Sequence, residues 1–107
     1  MVLPFIAGFV GGLIIGSLVT VAFLTLQEII NWFSQHFNVL HKNKDNLAFS
    51  IRDKLDNGNY QIVQGIFNDR TGDVIEERNI ETEEIDRELE QTHNEYEDEY
   101  GVVVYEF

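Results

Sequence analysis

The sequence predicts a membrane α protein joined to a small α+β domain. One N-terminal transmembrane helix is extended by an amphipathic interfacial helix and followed by an α-β-β-α-β domain. Three observations predict this class. Residues 2–26 hold no charged side chain. Residues 27–42 carry apolar side chains at three- and four-residue spacing. The remainder alternates regular apolar patterns with turn residues and holds most of the acid of a 107-residue chain whose net charge is −12. The expected boundaries are a transmembrane helix over 1–26, an interfacial helix over 27–42 and an acidic soluble α+β domain over 43–107.

The first segment, Val2 to Leu26, would reach ~37 Å as a helix, enough for a hydrocarbon core of ~30 Å. Its aliphatic and aromatic residues sum to about 4–8 kcal/mol in favour of insertion. Pro4 suits a first helical turn, where its missing N–H is no loss. No basic n-region precedes the apolar run and Val21-Ala22-Phe23 is a poor cleavage site, so the segment is not expected to be a removed signal. Gly8, Gly12 and Gly16 form two overlapping GxxxG steps, with Thr20 one step further and Gly11 widening the small surface. Small residues let helix backbones approach closely in lipid, so these five are the expected helix-packing interface.

In residues 27–42, Ile29, Ile30, Trp32, Phe33, Phe37 and Leu40 share one face. Glu28, Asn31, Ser34, Gln35 and Asn38 take the other. That pattern predicts an amphipathic helix at a membrane–water boundary, anchored by Trp32, Phe33 and Phe37. Lys42, Lys44, Arg52 and Lys54 follow, whereas no basic side chain precedes the apolar run. By the positive-inside rule the N-terminus is expected outside and the C-terminal domain cytoplasmic, in an integral single-pass protein.

In the domain, Leu47, Ile51 and Leu55 stand at i, i+4 and i+8, which predicts a helix over 46–57 with Asn57-Gly58 as its stop. Residues 60–67 are rich in β-formers and predict a strand. Asn68 to Asp73 is a turn cluster with Gly72 in the left-handed position of a hairpin loop. A second strand is expected over 74–80. Thr82 is the expected cap of an acidic helix ending near His93-Asn94. Residues 101–107 predict a last strand, paired into the sheet.

Composition excludes several classes of function. The acidic balance argues against a nucleic-acid partner, which needs clustered Lys and Arg. With no cysteine there is no disulfide, thiolate metal site or cysteine nucleophile. His36, His41 and His93 do not have the spacing of a metal site. Asn68 to Asp73 lacks the ligand order of a calcium loop, and no phosphate-binding, nucleophile-elbow or zincin motif occurs. No catalytic residue, metal or cofactor is therefore expected. The leading expectation is a non-enzymatic accessory or scaffold subunit of a membrane assembly, held by glycine-mediated helix packing. The alternatives are a homo-oligomeric pore and a membrane-anchored adaptor that recruits a basic soluble partner. The expected partners are the lipid bilayer, transmembrane helices of itself or of a larger membrane protein, and a basic soluble protein.

Overall fold

The fold begins with a choice of backbone at Leu18–Leu24. This stretch, LVTVAFL, combines β-branched and aromatic side chains, which sit well on a pleated surface when a partner strand is at hand. In the computed structural model, which describes residues 18–107, it forms strand β1. Thr25 then ends the strand. Its hydroxyl accepts the Glu28 N–H and the Glu28 carboxylate accepts the Thr25 N–H, a capping box that starts α1 at Leu26–Gln35. A short second helix, α2 at Phe37–Leu40, follows. Then come β2 at Asn46–Lys54, β3 at Tyr60–Asn68 and β4 at Val74–Ile85. Helix α3 at Arg87–Tyr96 and strand β5 at Val102–Tyr105 complete the chain.

The strands make one sheet in the order β1-β4-β3-β2-β5. β1 lies parallel to β4, with Val21 opposite Thr82 and Phe23 opposite Glu84. The other pairings are antiparallel, and Ser50 stands opposite Gln64 on one side and Val103 on the other. Because side chains alternate along a strand, the sheet has two separate apolar faces. On the first, Ile29 and Phe33 of α1 and Leu89 of α3 pack with Ala48, Ile62, Ile66 and Ile80. On the second, Phe49, Ile51, Val63, Phe67 and Val102 form their own cluster. The central strands β2 and β3 are consequently buried on both faces.

Two local features fix the register. Gly65 lies beneath the Phe49 ring, and a Cβ there would run into the Glu76 carbonyl oxygen, next to a register shift at Ile66/Phe67. In the β3–β4 loop, the Asn68 side-chain oxygen accepts the Arg70 and Thr71 N–H groups while Gly72 takes φ +80°.

The structure corrects the expected membrane class. The span over 1–26 cannot continue as one helix through Leu18–Leu24, because that stretch is paired as a strand with β4. Among the described residues no helix is long and apolar enough to cross a membrane, and α1 has ten residues. The transmembrane, single-pass reading and the integral location with the N-terminus outside lose their support with it. The apolar face of residues 27–42 turns onto the sheet, where Ile29, Phe33 and Leu40 are buried.

Two further elements differ. The expected helix over 46–57 is strand β2: offsets of four and eight are also even, so the stripe Leu47, Ile51, Leu55 fits a period of two equally well. Ala48, Phe49 and Ser50 between them are all buried, which a one-sided helix would not require. β4 also runs past Thr82 to Ile85, and Asp86 caps the following helix instead. The domain order after residue 43 is therefore β-β-β-α-β. The strand at 60–67, the hairpin turn and the last strand form where the sequence places them.

Candidate functional site

Four element ends meet at one carboxylate. Asp86 Oδ1 accepts the Leu89 N–H at 2.9 Å, capping α3, and the Leu26 N–H at 3.1 Å at the start of α1. The Asp86 N–H in turn donates to the Leu24 carbonyl at 2.9 Å. This knot holds the end of β1 beside the β4–α3 junction. Glu83, Glu84, Glu88 and Glu90 are exposed around it. Glu83, Glu84 and Glu90 line a crevice of about 420 Å³ together with Tyr60 and Lys54. The Lys54 ammonium sits 5.0 Å above the Tyr60 ring. Nearby, hydrogen bonds from Asn59 and Asn57 hold the Glu81 carboxyl below the usual range, so it stays ionised.

This junction belongs to a strongly polarised half of the chain. Fourteen of the 19 acidic side chains fall between Asp73 and Glu106, against Arg78 and Arg87 as the basic ones there. Beside the acid runs an apolar strip. On β1, Leu18 is 53%, Val19 45% and Phe23 50% exposed. β1 is the outer strand of the sheet among the described residues, and Phe23 is opposite Glu84. An acidic lip and an apolar strand edge are thus contiguous.

A second constellation lies inside. Ser50 Oγ is 2.8 Å from His93 Nε2, and His93 Nδ1 is 3.1 Å from Glu97 Oε1. Glu97 pairs with Arg52 at 2.9 Å, and Ser50 Oγ is also hydrogen-bonded to the Tyr105 hydroxyl at 2.7 Å. A hydroxyl, an imidazole and a carboxylate in that sequence are the parts of a nucleophile with its base and orienting acid. Here Ser50 and His93 are both 0% exposed. The crevices around them are lined by Arg52, Asn94 or Tyr105, not by Ser50 or His93. Burial pushes the imidazole down to about 4, with the Glu97 hydrogen bond opposing, so His93 is neutral near pH 7. Burial also raises the Tyr105 hydroxyl. The network pins α3 to β2 and β5 by satisfying polar groups that would otherwise be stranded in the core.

The residues singled out by sequence fall in different places. Gly8, Gly11, Gly12 and Gly16 lie outside the described residues. Thr20 is exposed on β1. Phe33 is 1% exposed and packs against Tyr105 and Phe107, with ring centroids 5.2 and 5.5 Å away. Trp32 is half-buried and stacks on His36 at 4.0 Å. Phe37 is exposed beside His41. The Ser50–His93 pair was not legible, being 43 residues apart; its one signal is a polar residue inside the apolar run of β2. Among the described residues no three His, Asp or Glu side chains converge as a metal would require. Comparison with protein-family profiles, characterised proteins and solved structures finds no match for the chain.

Proposed function

We propose that this chain is a non-enzymatic docking subunit whose acidic β4–α3 junction receives a basic protein partner. Of the roles open from sequence, the recruiting of a basic partner is the one whose surface lies within the described residues. The carrying observation is the segregation of charge: Glu83, Glu84, Glu88 and Glu90 stand exposed together, with Arg87 the one cation in their run. Such a field accelerates encounter with a cationic partner and rejects anionic ones. The non-enzymatic part is supported by the burial of Ser50 and His93, which leaves the catalytic-looking set out of reach of a substrate.

The test uses a soluble peptide of alternating Lys and Val residues and two variants of equal net charge. One carries Glu83→Gln, Glu84→Gln, Glu88→Gln and Glu90→Gln. The other carries Asp69→Asn, Asp73→Asn, Glu99→Gln and Glu106→Gln, all at exposed positions and none lining the crevices that hold Glu83, Glu84 and Glu90. Calorimetry should find salt-sensitive binding that the first variant loses and the second keeps. Equal loss in both would reduce the effect to overall charge and contradict a defined surface.

A further inference from the structure

Resting on that reading, we infer that the basic partner docks as an extended segment adding a sixth strand along the edge of β1 that is outermost among the described residues. An outer strand presents alternate backbone N–H and C=O groups outward, a template for another strand. Natural edges are usually guarded by charge, proline or shortness. Leu18–Leu24 has seven residues and holds no charged residue and no proline. The other edge is guarded: β5 has four residues, and Glu106 follows it.

The edge also specifies the chemistry of its occupant. Leu18, Val19 and Phe23 offer apolar contact on both faces of the strand, since Val19 and Phe23 share one face and Leu18 the other. Glu84 lies opposite Phe23, and Glu83 and Glu84 are exposed where β1 ends. A strand laid on β1 therefore meets apolar side chains along its length and carboxylates at the Leu24 end. The matching segment is β-forming, with Lys or Arg where it passes Glu83 and Glu84. A second copy fits less well, because two chains of net charge −12 repel each other as they approach.

Three arms of one binding experiment test this on the full chain. The alternating Lys–Val peptide is compared with the same peptide N-methylated at alternate residues, which keeps charge and removes donors along one edge. The N-methylated form should bind about ten-fold more weakly or worse. The double variant Val19→Glu/Phe23→Glu should also bind the unmodified peptide more weakly, although it adds two negative charges. Hydrogen exchange on the wild-type chain should show slowed β1 amides when the unmodified peptide is bound, a readout that needs no variant. Equal affinity for both peptides, tighter binding by the double variant, or unchanged β1 exchange would overturn strand addition while leaving the acidic docking surface in place. No salt-sensitive binding of either peptide would overturn both. A wild-type dimer that the double variant makes monomeric would assign the edge to a second copy and overturn the basic partner as its occupant.

Discussion

At the scale of single residues, the buried His93 makes the sharpest prediction. Its folded value of about 4 lies below the ordinary 6.5. Above pH 6.5 neither state holds the extra proton, and the contribution of the neutral, hydrogen-bonded ring is fully present. As pH falls below 6.5 the unfolded chain binds a proton that the folded chain refuses, so stability declines. The decline levels near pH 4, when the folded imidazole also protonates, after a loss of about 3 kcal/mol. Arg52 and Glu97 both face the ring, and the Ser50 and Tyr105 hydroxyls close its other side. Urea unfolding at pH 7.5 and 4.5 should show this loss in the wild type and much less of it in His93→Gln. A second prediction concerns Gly65, where Ala would collide with the Glu76 carbonyl in a strand buried on both sides. Gly65→Ala should lower stability by roughly 1–3 kcal/mol, read as a lower urea midpoint at unchanged slope.

At the scale of elements, legibility followed the specificity of the local signal. The β3–β4 hairpin could be read because Asn68 and Gly72 have one good structural use each, an Asx-type turn and a left-handed residue. β2 could not, because Leu47, Ile51 and Leu55 satisfy two periods and burial on both faces erases the alternation that would choose. β1 failed for a related reason. Leu18–Leu24 is apolar throughout, and a continuous apolar run does not distinguish a span from a strand with a partner far along the chain. The capping-box residues Thr25 and Glu28 were the available clue to a helix start at Leu26. The candidate surface was half legible. The acid of the β4–α3 region is plain in the sequence, whereas its neighbourhood with β1 depends on pairing across some sixty residues, as the Leu26–Asp86 bond shows with a separation of 60. Asp86 is the joint in that arrangement. Because its carboxylate serves both α1 and α3, Asp86→Ala should cost about 1–2 kcal/mol, toward the upper end for a single cap. Thermal unfolding against Glu88→Ala, which removes an exposed carboxylate and keeps the backbone carbonyl that accepts the Thr92 hydroxyl, would isolate the effect.

At the scale of the molecule, a chain of net charge −12 repels itself when folded. Raising salt from about 10 to 200 mM shortens the Debye length from ~30 Å to below 10 Å and should raise the melting temperature. The same salt should weaken the basic peptide's binding, so stability and affinity are expected to move in opposite directions. All of this depends on β1 standing in the sheet beside β4, since that pairing replaces the expected span and brings the apolar edge to the acidic lip. The absence of cysteine allows a clean test of it. Thr20 and Glu81 are register partners on adjacent strands, close enough for a disulfide between introduced cysteines. In the Thr20→Cys/Glu81→Cys variant, mild oxidation should give a fast, quantitative intramolecular crosslink in the monomer. Pairing Thr20→Cys with Asp53→Cys, on a strand two places further across the sheet, should not. If the Thr20/Glu81 pair stays reduced, or reacts no faster than the distant pair, residues 18–24 are not a strand beside β4 and the account is wrong.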